Sequence, residues 1–218
     1  MNLVNIFSNN HMSTKRNYIE RMNDEKVKNM IIANKYEKDY WDGARSSGYG
    51  GYVYDGRYES IASLLVEKYK INSTSRILDF GCGKGFLLYE INKISQCETV
   101  GVDISKYAIS NSKEEIKSSL ICADENYLNK FQENEFDLVI STMTLHNLSI
   151  GNLEKTIQRI ESIGKQSILT VESYRNEQEL FNLQCWALTC KSFLSHDDWE
   201  YLLDKNSFTG DVELMYFE

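Results

Sequence analysis

Proline is absent from all 218 residues, histidine occurs three times, and the five cysteines contain no C-x-x-C pair. Cys82, Cys97, Cys122, Cys185 and Cys190 fall in strand or helix contexts, which excludes a disulfide scaffold and leaves reduced thiols acting as small apolar groups. Three scattered histidines without paired cysteines supply no cluster of ligands, so no metal is expected. Positive charge is short as well: 24 Lys and Arg against 32 Asp and Glu leave a net charge of -8. A nucleic-acid backbone calls for a basic surface, so nucleic acid is excluded as a partner and a small or neutral substrate fits better. No apolar run approaches the ~20 residues of a membrane span. Leu3-Val4-Asn5-Ile6-Phe7 is too short, and too uncharged on its leading side, for a signal peptide. Together these absences predict a cytoplasmic protein with no membrane partner.

What is present is enough apolar material, 42% of residues, for one core and one catalytic domain. The central stretch is Arg76-Ile77-Leu78-Asp79-Phe80-Gly81-Cys82-Gly83-Lys84-Gly85-Phe86-Leu87-Leu88. Ile77, Leu78 and Phe80 read as a buried strand, the three alternating glycines as a sharp turn, and Leu87, Leu88 and Ile91 as a helix whose free N–H groups point back at that turn. About twenty residues on, Thr99-Val100-Gly101-Val102-Asp103-Ile104-Ser105 reads as a second strand ending in an acid, where a carboxylate accepts both ribose hydroxyls of an adenosine. A dinucleotide turn wants glycine at the sixth position of G-x-G-x-x-G; that position is Phe86, which disfavours a nucleotide-dependent oxidoreductase.

The spacing Asp79-x-Gly81-x-Gly83-x-Gly85, with Asp103 closing the second strand, Ala123-Asp124 after the third and Phe136-Asp137-Leu138-Val139-Ile140-Ser141 as the fourth, resembles the class I S-adenosylmethionine-dependent methyltransferase family. The resemblance covers roughly residues 58 to 217. It implies S-adenosylmethionine as cofactor, with Asp79, Gly81, Cys82, Gly83 and Gly85 near the methionine moiety and Asp103 and Ile104 at the ribose. It further implies Ala123 and Asp124 at the adenine and Ser141 along the cofactor edge. Members acting on amino groups of DNA bases or glutamine carry an Asn/Asp-Pro-Pro-Tyr segment after the fourth strand. Here Ser141-Thr142-Met143-Thr144 stands in that place and proline is lacking altogether, so that subclass is disfavoured.

Residues 1 to about 22, with Met12 and Met22 as alternative starts, lack periodicity and are expected to be mobile. Val27, Met30, Ile31, Asn34 and Tyr36 predict one amphipathic helix between Asn23 and Trp41. Tyr40 to Tyr58 then combines five glycines with five tyrosines, a composition suited either to a lid over the cofactor, with Tyr49 and Tyr52 shaping the acceptor pocket, or to a surface loop whose tyrosines pack back onto the domain. Arg57 either forks the cofactor's carboxylate or neutralises Asp55 or Glu59. The alternation of strands and helices from Tyr58 onward predicts an α/β fold. Its sheet is a doubly wound, Rossmann-like, mostly parallel one with helices on both faces, ligands sitting at the C-terminal strand ends. The division is therefore 1–57, an N-terminal extension with helix and lid, and 58–218, the methyltransferase domain. Val212 to Phe217 alternates as a terminal strand. The family usually ends in a two-stranded hairpin beyond the fifth strand, so either one strand is missing here or Thr189 to Phe193 supplies it.

Methyl transfer from a sulfonium is an in-line displacement that needs positioning and, for a hydroxyl or protonated amine acceptor, a base. His146, just after the fourth strand, is the candidate base and a candidate acceptor contact; the competing reading makes it a structural residue holding its loop. The predicted activity is methyl transfer to an oxygen or nitrogen of a small polar molecule. The Gly/Tyr/Arg lid and the Trp186 to Phe193 segment also look similar to enzymes that modify surface-glycan sugars, making a sugar or sugar nucleotide the leading acceptor. The alternative is a non-catalytic, adenosyl-ligand-binding scaffold or regulatory partner.

Overall fold

The computed structural model describes residues 1–8 and 16–218. Its sheet has seven strands, all parallel: β1 (Asn2–Leu3), β2 (Arg76–Phe80), β3 (Glu98–Asp103), β4 (Leu120–Cys122), β5 (Leu138–Thr142), β6 (Ser167–Glu172) and β7 (Asp211–Met215), in the spatial order β1-β7-β6-β5-β2-β3-β4. The order reverses beside β2, which pairs with β3 on one side and β5 on the other. That reversal opens a crevice at the C-terminal ends of β2, β3 and β5.

The strands alternate strictly between two cores, as the period of two requires. Leu78, Phe80, Val102, Val139, Leu169, Val171, Val212 and Leu214 face helix α8 (Ile150–Ile163) and helix α10 (His196–Lys205), meeting Ile157, Ile160 and Trp199. Ile77, Leu138, Ile140, Ile168 and Met215 face helix α4 (Glu59–Tyr69) and helix α5 (Phe86–Ser95), meeting Ile61, Leu65, Leu88 and Ile91. Helix α10 starts at a capping box made by Ser195 and Asp198, and Gly164 closes α8.

The far edge of the sheet departs from both alternatives offered by the sequence. Thr189 to Phe193 forms no strand; the place beyond β7 is taken by β1, in which Asn2 pairs with Asp211 and Leu3 with Val212. The pairing is parallel, so no terminal hairpin exists there. Residues 1–8 are therefore ordered by the sheet, contrary to the expected mobility, while Met12 lies outside the described residues. What pins this segment is Glu213, 3% exposed, whose carboxylate accepts the backbone N–H groups of Ile6 at 2.7 Å, Phe7 at 2.9 Å and Ser8 at 2.7 Å. Glu213→Ala leaves those donors without their charged acceptor and is expected to destabilise the fold by about 2–3 kcal/mol. A denaturant midpoint equal to that of the wild type would show that the clasp contributes nothing.

The single helix expected between Asn23 and Trp41 is divided. Helix α1 (Tyr18–Asn23) precedes it, α2 (Lys26–Ala33) ends at Asn34, and a short α3 (Lys38–Trp41) follows Tyr36, whose φ of 52° breaks the helical path. Nor is the expected face the buried one. Val27 and Ile31 are 71% and 60% exposed, and α2 instead turns Asn29 and Ala33 inward. Two short helices follow Ser105, α6 (Lys106–Ser110) and α7 (Glu114–Lys117), and α9 (Glu177–Trp186) follows β6.

Candidate active site

The turn between β2 and α5 can be made only of residues lacking side chains at two points. Gly81 has φ 83°, and a Cβ there would lie 1.9 Å from Thr144 Oγ1; Gly83 has φ 56° and would press a Cβ to 2.9 Å from the ring of Trp41. The turn's backbone meets the end of β3: the Gly83 N–H donates to Asp103 Oδ2 at 2.7 Å, and the Ser105 N–H donates to Asp103 Oδ1 at 2.7 Å. Burial raises the Asp103 pKa, with these two hydrogen bonds pulling the other way. Asp79, inside β2, is 2% exposed, and among the described residues its Oδ1 meets no donor. Burial first, and the nearby Asp103 second, push its pKa up to about 8.

The predicted lid lies over this turn. Asp42 is its clasp: it receives Lys84 Nζ at 2.7 Å, the Tyr107 hydroxyl at 2.8 Å and the Tyr52 N–H at 3.0 Å. Burial works against the ionised form of Asp42, yet the hydrogen bonds from Lys84 and Tyr107 hold its pKa below the ordinary value. Trp41 donates its indole N–H to Ser105 Oγ at 2.8 Å and stacks on Tyr49 with ring planes 4° apart. Tyr52 continues the stack onto Phe86. The sixth-position phenylalanine of the turn thus serves as the floor for the lid.

Two chambers result, of about 390 and 190 Å³. They share the walls Tyr40, Trp41, Tyr49, Gly81, Thr142, Met143 and Asn147, so the two lie side by side. Of the residues singled out from sequence, Asp103, Ile104, Ala123 and Asp124 line the smaller chamber, and Arg57, Asp79, Cys82, Gly83, Tyr52 and His146 the larger; Gly81 and Tyr49 belong to both. Gly85 and Ser141 line neither. Gly85 is the N-cap of α5, and Ser141 Oγ donates to the Phe80 carbonyl at 3.0 Å, tying β5 to β2. Arg57 forks Asp55, with Nε 2.9 Å from either carboxylate oxygen and Nη2 2.6 Å from Oδ2.

His146 is 3% exposed and its ring is already engaged. Nδ1 accepts the Glu172 N–H at 3.2 Å, which leaves the proton on Nε2, 3.4 Å from Glu172 Oε2. Burial lowers the His146 pKa to about 3, so the ring is neutral. Glu172, the last residue of β6, lines the larger chamber, and burial raises its pKa to about 7 against the opposing influence of Arg16 and Lys26. Sequence reading passed over Glu172. The available signal was an acid ending a strand whose every residue is apolar or small, at the sheet edge where ligands bind. It also passed over Arg16, Arg21 and Arg45, which line the same chamber. Among the described residues, no group of three or more His, Cys, Asp or Glu side chains could hold a metal.

A parallel sheet with its order reversed beside β2, a glycine turn there, and an acid at the end of β3 define a Rossmann-like domain, a fold class in which ligands bind at the C-terminal strand ends. The chain belongs to the methyltransferase domain family, whose model matches residues 71–208, and its sheet and turn are of the class I type. Over 113 residues, half of the chain, it is 36% identical to the mitochondrial arginine-hydroxylase NDUFAF5 of Mus musculus, covering 31% of that protein. It is 28% identical over 111 residues, again 50% of the chain, to the phosphoethanolamine N-methyltransferase of Plasmodium falciparum, covering 41% of it. The chain therefore spans less than half the length of these curated relatives. Among solved structures, a SAM-dependent methyltransferase from Archaeoglobus fulgidus superposes with a TM-score of 0.53 and 21% identity, over 70% of this chain and 69% of that one. This last likeness concerns the fold.

The family implies S-adenosylmethionine as cofactor. The residues present fit it: an unpartnered buried carboxylate, Asp79, stands beside the turn where an ammonium would satisfy it, and Asp103 keeps acceptor capacity facing the smaller chamber, where ribose hydroxyls can donate.

Proposed function

We propose that this protein transfers the methyl group of S-adenosylmethionine to an oxygen or nitrogen of an acceptor held in the larger chamber. The observation that carries the reading is the buried Asp79 carboxylate, which lines that chamber beside the glycine turn and whose Oδ1 meets no donor among the described residues. An uncompensated buried carboxylate is costly, and a ligand cation removes the cost. When bound, the cofactor supplies an electrophilic methyl group on a sulfonium. The chain's own groups do the rest. Asp79 holds the cofactor's ammonium and Asp103 its ribose; Ile104, Ala123 and Asp124 line the nucleoside end. Trp41, Tyr49 and Tyr52 exclude water. Glu172 accepts the acceptor's proton, held in place by the Nε2–H of a neutral His146, which we read as a positioning residue rather than the base.

The acceptor we favour is small and polar, since the segment from Tyr40 to Tyr58 lines the chamber with amphipathic rings. A sugar or sugar nucleotide is the form of that reading supported by Tyr49 and Tyr52 on the walls. The arginine-hydroxylase relative supports a second reading, in which the group acted on belongs to a protein. We retain a cytoplasmic location on the strength of five unpaired cysteines; no helix among the described residues is long and apolar enough to cross a membrane.

Calorimetric titration with S-adenosylmethionine and S-adenosylhomocysteine tests the cofactor assignment. Both ligands should saturate the protein, and Asp103→Ala should weaken them at least ~10-fold, the loss of hydrogen bonds to a charged group. Formation of S-adenosylhomocysteine with small acceptors or with peptides then separates transfer from mere binding. Absence of binding to the folded wild type sinks the proposal.

A further inference from the structure

Three guanidinium groups converge on one indole in the wall of the larger chamber. The carbons at the centres of the Arg16, Arg21 and Arg45 guanidiniums lie 5.3, 4.8 and 5.2 Å from the Trp186 ring centroid. Arg21 spends Nε on the Trp186 carbonyl at 3.3 Å and Nη1 on the Arg45 carbonyl, and Arg45 spends Nη1 on the carbonyls of Gly48 and Tyr49 at 3.0 and 3.2 Å. These bonds orient the two forks but neutralise nothing. Among the described residues neither Arg21 nor Arg45 forms an ion pair. In a chain of net charge -8, such a concentration of like cations is the local exception. Burial first, then the neighbouring Arg45, lowers the Arg21 pKa to about 10, which shows how poorly the wall tolerates its own charge. Of the acids lining the same chamber, Asp79 is held towards its neutral form by burial, and Glu172 is raised by burial to about 7 with Arg16 and Lys26 pulling the other way.

Such a wall is complete only with an anion against it. Two guanidinium forks call for two negative charges and more than two acceptor oxygens, a demand that a phosphate dianion meets and a single carboxylate does not. We infer that the acceptor is a phosphate monoester, whose dianion is gripped by Arg21 and Arg45 beside Trp186 while the atom to be methylated reaches Glu172. The inference rests on the methyl-transfer reading for the identity of the chamber, and on the arginines alone for the anion. Arg16 adds to the positive field without being counted among the grips.

The test is calorimetric titration of the full chain, with and without saturating S-adenosylhomocysteine, using inorganic phosphate, glucose 1-phosphate and sodium acetate as probes. Phosphate and glucose 1-phosphate should bind saturably. Arg21→Gln and Arg45→Gln should each weaken them ~10-fold or more, as expected for losing a charged hydrogen-bonded partner. Arg45→Lys, which keeps the charge, should recover part of the loss, and an unchanged melting temperature in each variant certifies the fold. Phosphate affinity indifferent to both substitutions, or acetate binding as tightly as phosphate, overturns the inference. If phosphate binds in an arginine-dependent way while S-adenosylhomocysteine fails to bind at all, the anion site stands and the cofactor reading falls, so the two failures are told apart.

Discussion

Glu172→Gln is expected to lower kcat by about 10²- to 10⁴-fold, the range for loss of a general base, while the affinity for S-adenosylhomocysteine stays essentially unchanged. The geometry behind this is specific. His146 cannot offer a lone pair to an acceptor without surrendering either the hydrogen bond from the Glu172 N–H or the proton that faces the Glu172 carboxylate. Glu172 has no such conflict, and its carbonyl is fixed by the Trp199 indole N–H at 3.0 Å, so the strand end is rigid. With its pKa raised to about 7 by burial, the carboxylate is half ionised near neutrality, and kcat/KM should rise with pH through about 7 as the base loses its proton. In the glutamine variant that acidic limb should disappear. Should Glu172→Gln retain activity within ~10-fold of wild type with the limb intact, proton removal by Glu172 is wrong, since that loss is below the general-base range. His146→Asn separates positioning from chemistry: it should lower kcat less and move the limb, because a positioning residue alters the carboxylate's surroundings rather than removing it.

The parts of this site that were legible in sequence are those built from contiguous residues. Asp79 to Gly85 is a strand, turn and helix opening within a dozen positions, and the positive φ of Gly81, Gly83 and Gly85 follows from that local pattern. What escaped is assembled across the chain. Arg21 and Trp186 are separated by 165 positions, and no periodicity connects them. Glu172 carries a local signal, an acid ending a strand, but its place against His146 is shown only by the fold. The sheet edge failed in the same way, because Asn2 finds Asp211 across 209 positions and a two-residue strand carries no periodic signal. The helix expected from Asn23 to Trp41 shows the opposite error, a real local pattern overridden by tertiary contacts. Val27 and Ile31 mark an apolar face, but Asn29, donating to the Asp24 carbonyl at 2.5 Å, and Ala33 are what the fold turns inward.

Asp79 yields the second large effect, on binding rather than turnover. Its pKa of about 8 means that the carboxyl is mostly protonated at pH 7 in the free protein, because burial and Asp103 both oppose the charge. A cofactor ammonium placed against it reverses that balance, so binding at pH 7 should release nearly one proton per cofactor bound. The affinity for S-adenosylmethionine should therefore climb as pH rises toward about 8 and level off above it. In the free protein the same group acts on stability in the opposite sense. Its folded value lies above the ordinary 3.8, so the folded state holds the proton more tightly, and the contribution of this carboxyl falls as pH rises from about 4 to about 8. Raising the pH should consequently lower the melting temperature of the free protein while enlarging the shift produced by the cofactor. Asp79→Asn should remove the proton release, flatten both pH dependences and weaken cofactor binding by about 2 kcal/mol or more, at least ~30-fold, because the ammonium loses its charged partner inside the protein. Calorimetry in two buffers of different ionisation enthalpy reads the proton count directly. A count near zero for the wild type would mean that Asp79 does not meet the ammonium, whatever the affinity, and the buried carboxyl would then be a neutral hydrogen-bonding group of the turn.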